Sequence, residues 1–341
     1  MPSYSYLVSV CITSYKRVRE LERCLKSIDS KRTDTIEVVV SEDCSPQRKE
    51  IRKVVVDYAE RSPYHVVFNT NEQNLGYDRN LKMLATLASG EYVLYLSDDD
   101  CLFPGKLDEF VKCLENQHPA LAYGSFWYGY KEKKCIRRSY PSSHEIPQGE
   151  ASAAQRIYDA ILFSGLTFRR DLLLGIDAER FKNLNYFQVY LFLTMLYKHG
   201  GYYQNTLLID SVSDGENAYG QVKSSGLGNK QLADRESVFS NIEFNKGLVR
   251  VIKMFDEDNQ TNVFGQFGKE FSLRSFGGFC RARDHGLKVY KDYWQRLKSL
   301  GVGLSPICYI YYFSVGLLGA RLSRILFALP KKLLILIRKH Y

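Results

Sequence analysis

The chain is 341 residues long, 45% apolar and 25% charged, with a formal net charge of +9. Such a length buries a large core, and such a balance excludes a globally disordered chain, so one large domain with an appendage is expected. The eight cysteines form no close pair of zinc-ligand type and several sit inside predicted strands or helices, so they read as small buried apolar residues of a reducing compartment and not as a disulfide framework. The start, Met1 to Tyr6, shows no basic segment followed by an apolar one, so a protein kept on the cytosolic side is expected.

The first hundred residues alternate strand and helix signals. Leu7 to Ile12 reads as a buried strand, and Val18, Leu21, Leu25 and Ile28 then recur at helical spacing. Ile36 to Val40 is the next strand. Ser45-Pro46 predicts a helix start, an N-cap residue with proline at the first position, whose buried face carries Ile51, Val54, Val55 and Tyr58. A third strand spans His65 to Phe68, and a helix from Tyr77 to Ala88 is expected to close on Ser89-Gly90. Strands separated by single helices imply a mostly parallel sheet with right-handed crossovers. Further on, helices are predicted over Lys106–Glu115, Ala151–Phe163 and Phe187–Lys198, and strands over Leu121–Tyr130, Leu166–Arg169 and Tyr202–Val212. Lys131 to Gly149 reads as a polar loop. From about Gly228 to Leu300 the pattern becomes one of amphipathic helices.

The most telling segment is Glu91-Tyr-Val-Leu-Tyr-Leu-Ser97-Asp98-Asp99-Asp100, a continuous apolar strand that ends in three carboxylates. A continuous run of that length predicts a strand buried on both faces, and open α/β sheets bind ligands at the carboxyl ends of such strands. A hard divalent cation, Mg²⁺ or Mn²⁺, would relieve the repulsion and grip a diphosphate. Three other loops also follow strands: Thr13 to Arg17, Ser41 to Ser45 and Asn74 to Asn80. Each has a plain reading, since Tyr15 could pack, Asp43 could cap a helix, Gly76 could serve a turn and Arg79 could lie on the surface. Their shared place after successive parallel strands favours a nucleotide-diphosphate pocket. Neither a phosphate-binding Gly-Lys-Ser/Thr loop nor a dinucleotide glycine fingerprint occurs in the sequence.

These blocks, Val8 to Arg17, Glu37 to Ser45, Asn74 to Asn80 and Ala88 to Asp100, resemble in order and spacing the family 2 glycosyltransferases of GT-A fold. The resemblance is specific over residues 5 to 115, weaker to about 215 and absent beyond. It implies inverting transfer of a sugar from a nucleotide-diphosphate donor, assisted by Mg²⁺ or Mn²⁺. It implies that Thr13, Tyr15, Arg17 and Asp43 hold the base and ribose, that Gly76, Arg79 and Asn80 flank the base and diphosphate, and that Asp98 approaches the ribose or sugar. Asp99 and Asp100 become the metal candidates. One departure is clear: the helix start where the family carries its catalytic acid reads Asn185-Tyr-Phe-Gln188-Val-Tyr190, with no carboxylate. Asp177 and Glu179 are therefore the first candidates for the base, with Asp214 and Glu216 in reserve.

No acidic residue follows Asp292, while Arg296, Lys298, Arg321, Arg324, Lys331, Lys332, Arg338 and Lys339 accumulate among apolar and aromatic residues. Gly301 to Ala320 is uncharged, but its glycines and Ser305-Pro306 argue against a plain spanning helix. Interleaved basic and apolar residues fit a helix pair lying on an anionic membrane, with a buried C-terminal helix or oligomer interface as the alternative. The expected organisation is a GT-A-like domain over 1–220, a mixed α/β sheet flanked by helices, then a helical region over 221–300 and an amphipathic, membrane-associating segment over 301–341. The expected activity is sugar transfer to a glycan or lipid-linked acceptor in surface polysaccharide synthesis, on the inner face of the membrane and without a nucleic-acid partner. Competing readings are a sugar nucleotidyltransferase and a non-catalytic membrane or nucleic-acid adaptor.

Overall fold

A computed structural model describes residues 4–128, 135–212 and 230–338, and in the last stretch it describes side chains for 238–239 and 242–327. The chain divides into two compact units, 1–216 and 217–341.

The first unit begins with β1 (Tyr6–Ser14), α1 (Val18–Lys26), β2 (Ile36–Glu42), α2 (Arg48–Ala59), β3 (His65–Thr70), α3 (Tyr77–Leu87) and β4 (Gly90–Ser97). β1, β2, β3 and β4 are parallel neighbours in the order β3-β2-β1-β4, as their continuous apolar runs predict. Val8, Val10, Ile12, Val38, Val40, Leu94 and Leu96 are fully buried and form the centre of the core with Leu21, Leu25, Ile51 and Val55 from the helices. Beyond β4 the sheet becomes mixed. It continues through β5 (Asp100–Leu102), α4 (Lys106–Gln117), β6 (Leu121–Tyr128), β7 (Cys135–Arg137), β8 (His144–Ile146), α5 (Glu150–Gln155), β9 (Thr167–Arg169), α6 (Arg170–Leu174), α7 (Phe187–Lys198) and β10 (Gly201–Ser211). β9 lies antiparallel between β4 and β6, β10 runs parallel to β6, and β5 closes that end antiparallel to β10.

Several expected boundaries move, each for a visible reason. α2 starts at Arg48 rather than at Ser45-Pro46, because the backbone N–H groups of Cys44 and Ser45 donate to the buried Glu42 carboxylate and hold the turn open. Gly90 is the first residue of β4 and not a helix cap. A Cβ there would stand 2.6 Å from Ser9 Oγ and 2.8 Å from Ser9 N, so close strand packing demands glycine. The helix expected over Ala151–Phe163 is only α5 followed by a 3₁₀ turn, Ile157–Ala160. The Arg138 guanidinium takes the carbonyls of Asp159, Leu162 and Ser164, which draws that backbone away from helical pairing. The loop expected over Lys131–Gly149 contains β7 and β8 within its described part, and residues 129 and 130 of the expected strand fall outside the described residues.

The second unit is helical: α8 (Lys230–Asn259), α9 (Val263–Arg274), α10 (Phe276–Asp284), α11 (Leu287–Ser299) and α12 (Pro306–Arg338). α12 breaks at Gly319, whose φ of 76° only glycine adopts easily. Its first half is fixed by aromatic packing, with Tyr312 stacked on Tyr290 and Trp294 at centroid distances of 5.3 and 4.5 Å.

Candidate functional site

The carboxyl ends of β1, β2 and β4 put Thr13, Ser41 and Ser97 in register across three strands, so the loops that follow them open at one edge of the sheet. Asp98 is buried. Its Oδ2 accepts the Tyr15 backbone N–H at 3.1 Å, and its Oδ1 lies 3.0 Å from Arg17 Nη1. Asp99 mirrors it: Oδ1 accepts from Ser97 Oγ at 2.5 Å, and Oδ2 lies 2.8 Å from the same Arg17 nitrogen. Arg23 also donates to the Asp99 backbone carbonyl at 3.1 Å. Asp100 turns elsewhere. Buried in β5, it accepts from Ser164 Oγ at 2.5 Å and from the Ser211 side chain, which its strand register places opposite. Burial pushes the Asp98 carboxyl up to about 7 against the pull of Arg17, and burial with the neighbouring Asp99 charge raises Asp100 as well.

The triplet thus splits, with Asp98 and Asp99 sharing one cation and Asp100 tied to two hydroxyls. Among the described residues, no group of three or more His, Cys, Asp or Glu side chains forms a metal cluster. The donor set nonetheless fits a hard cation, because all its atoms are carboxylate or hydroxyl oxygens and two carboxylates already share a cationic nitrogen. Ser164, Ser211 and Arg23 were not among the expected site residues. Ser164-Gly165 carried a faint signal, a small hydroxyl residue beside a glycine at the head of a strand.

The second and third loops form one hydrogen-bonded unit. Asp43 accepts the Leu75 and Gly76 backbone N–H groups at 2.7 and 2.9 Å and the Asn71 amide at 2.9 Å, so it clamps the third loop instead of capping α2. Gly76, with φ of 78°, precedes α3. Asn80 is buried between Ser41 and Asn71, receiving from Ser41 Oγ at 2.7 Å and donating to the Ser41 carbonyl. Arg79 donates to the Leu75 carbonyl at 2.7 Å and reaches Glu179 at 3.8 Å. Tyr15 has the Lys16 ammonium 5.2 Å from its ring centroid, and Thr13 is half-buried at the end of β1.

Asp177 and Glu179 lie on an exposed turn between α6 and α7. Asp177 accepts the Glu179 backbone N–H, and the Glu179 side chain is 67% exposed against Arg79. Asp214 and Glu216 fall outside the described residues. At the start of α7 the carboxylate comes from another element: Asp78 of α3, buried, accepts the Asn185 and Phe187 N–H groups at 2.9 Å each. Burial raises its pKa even though these donors favour the ionised form. Gln188 is buried on the first turn, and among the described residues its Oε1 has no hydrogen-bond partner.

An open α/β sheet that gathers hydroxyls, carboxylates and a guanidinium at its strand ends has them where such sheets bind ligands. Residues 9–173, a little under half of the chain, match the family model described as glycosyl transferase family 2. An uncharacterized glycosyltransferase of Haemophilus influenzae is 30% identical over 34% of this chain and 37% of its own length. Abequosyltransferase RfbV of Salmonella typhimurium is 29% identical over 33% of each chain. The matched stretch therefore spans about a third of these relatives. Among solved structures, S. aureus TarS 1–349 in complex with UDP aligns over 92% of this chain and 89% of its own, with a TM-score of 0.51 at 14% identity. That likeness is one of fold, and it bears out the expected GT-A-like mixed sheet followed by a helical region.

Proposed function

We propose that the protein is an inverting glycosyltransferase that takes a sugar from a nucleoside-diphosphate donor to a hydroxyl of a glycan or lipid-linked acceptor in surface polysaccharide synthesis. The observation that carries this reading is the Asp98–Asp99 pair at the end of β4, holding one cationic nitrogen between two carboxylates where the strand-end loops meet. The match of residues 9–173 to the glycosyl transferase family 2 model supports the reaction class. The names of its relatives supply further support: RfbV is an abequosyltransferase, and TarS is described with UDP.

In this reading Thr13, Tyr15 and Asp43 frame the base and ribose side, Gly76, Arg79 and Asn80 frame the diphosphate side, Arg17 belongs to the donor site beside the acidic pair, and Asp98 faces the ribose or sugar. Asp99 and Asp100, with Asp98 beside them, would hold Mg²⁺ or Mn²⁺. When bound, that ion supplies positive charge to the departing diphosphate. Arg79 adds a fixed donor to the same leaving group. The acceptor proton passes to a carboxylate, for which Asp177 and Glu179 stand first and Asp214 and Glu216 follow. The basic, apolar end of the chain would keep the enzyme on the inner face of the membrane, near a lipid-linked acceptor.

Thermal-shift titration with UDP, GDP, CDP and dTDP, each with and without Mn²⁺, tests this reading. One nucleotide should raise Tm strongly and only with the metal. No shift with any of the four would overturn the donor assignment and favour a non-catalytic adaptor.

A further inference from the structure

Arg17, expected among the donor-binding residues, stands at the acidic pair itself. Its Nη1 stands between Asp98 Oδ1 and Asp99 Oδ2 at 3.0 and 2.8 Å, and all three side chains are at most 14% exposed. The remaining oxygens of the pair are held by the protein itself: Asp98 Oδ2 by the Tyr15 N–H and Asp99 Oδ1 by Ser97 Oγ. Each carboxylate therefore has one oxygen anchored and one committed to Arg17. If the guanidinium leaves, both carboxylates stay in place and present two free oxygens to whatever cation arrives.

Those two oxygens cannot serve Arg17 and a divalent ion together, since two cations within a few ångströms of each other repel in a partly buried site. A guanidinium is also the side chain best matched to phosphate oxygens, so a diphosphate arriving beside the pair offers it an alternative partner. We infer that Arg17 is a resident counter-cation that competes with the divalent metal for Asp98 and Asp99, so that metal and donor diphosphate bind as a coupled pair. The metal alone binds weakly, because it must displace the guanidinium. The diphosphate removes that competition by drawing Arg17 onto itself, and by linkage the metal tightens the diphosphate by the same factor. Arg17 is a positioning and coupling residue in this scheme. The inference rests on the metal-assisted donor reading above.

The test is Mn²⁺ titration by calorimetry into the donor-free, full-length protein. Arg17→Gln should bind Mn²⁺ about tenfold or more tightly than the wild type, the loss of a charge-assisted contact to each carboxylate being worth at least that. Arg17→Lys, which keeps the charge, should stay close to the wild type. Adding the nucleoside diphosphate that gives the largest thermal shift should tighten Mn²⁺ on the wild type much more than on Arg17→Gln. Equal or weaker Mn²⁺ affinity in Arg17→Gln, or no Mn²⁺ binding in either protein, overturns the inference. If Arg17→Gln does not fold, the wild type alone decides, because Mn²⁺ affinity that is the same with and without nucleotide also overturns it. A wild type that binds nucleotide with Mn²⁺ while Arg17→Gln shows unchanged Mn²⁺ affinity would sink the competition and leave the donor reading standing.

Discussion

At the scale of single residues, burial sets the chemistry of the acidic triplet. Asp98 titrates near 7 because removal from water outweighs the attraction of Arg17. Its pKa in the folded protein lies above the unfolded value of about 3.9, so the folded state binds the extra proton. The stability this provides is fully present below about pH 4 and is lost as pH rises through about 7. In metal-free buffer the Tm of the wild type should therefore fall between pH 5 and pH 8 more steeply than that of Asp98→Asn, which keeps an acceptor for the Tyr15 N–H but carries no titrating group. Parallel curves for the two proteins would mean that the carboxyl titrates normally. Asp43 poses a different problem, because its oxygens are spent on Leu75, Gly76 and Asn71. Asp43→Ala takes the partner from the Leu75 N–H, at a cost of about 1–3 kcal/mol, while the Gly76 N–H keeps Asn74 Oδ1 and the Asn71 amide keeps Asn80 Oδ1. Lower Tm and weaker donor binding should then appear together, measured by denaturation and by nucleotide titration. Normal binding in a destabilised variant would limit Asp43 to the fold.

Among elements, the legible ones were those whose signal is local. β1, β2 and β4 are continuous apolar runs bounded by turn residues, and such runs announce buried parallel strands without any knowledge of their neighbours. Three-residue β9 could be seen as a strand, but its antiparallel place between β4 and β6 depends on partners far away in sequence. Ser164 and Ser211 were missed for the same reason: a serine gains meaning only when a crossover sets it against Asp100. Asp78 was visible inside a recognised loop, yet nothing local indicates that it anchors α7, more than a hundred residues away. Asp78→Ala should free two N–H groups at the start of α7 and cost about 1–3 kcal/mol, read as a drop in denaturant midpoint at unchanged slope. Hydrogen exchange should quicken first at Asn185 and Phe187. A variant with wild-type stability and exchange would show that α7 holds its start without the carboxylate.

For the molecule as a whole, the open question is what α12 meets. Pro306–Phe327 is long and apolar enough to cross a membrane and little of it is buried, whereas the apolar helix of a soluble core is mostly buried. Tyr309, Ile310, Phe313 and Leu317 are exposed before the break at Gly319, and Leu322, Ile325 and Leu326 after it. Basic residues accompany them, Arg321 exposed and Arg324 paired with Asp284. Tyr312, on the same helix, packs inward on Tyr290 and Trp294. Removing residues 302–341 would strip that aromatic cluster and unsettle the helical unit, so point variants make the sharper experiment. Phe313→Ser combined with Leu317→Ser replaces side chains that are 61% and 84% exposed, and Tm should hardly move. If these residues insert into lipid, each loses about 1.5–3 kcal/mol of apolar transfer at most, so binding to vesicles should fall by tenfold or more. Arg321→Gln should weaken binding only to vesicles containing phosphatidylglycerol, by about 1 kcal/mol, and high salt should produce the same loss in the wild type. Salt alone should not strip the wild type from vesicles, because the apolar contact is indifferent to ionic strength. A wild type that ignores anionic vesicles, or a double variant that binds them as well as the wild type, would leave this face to a protein partner or a second copy of the chain.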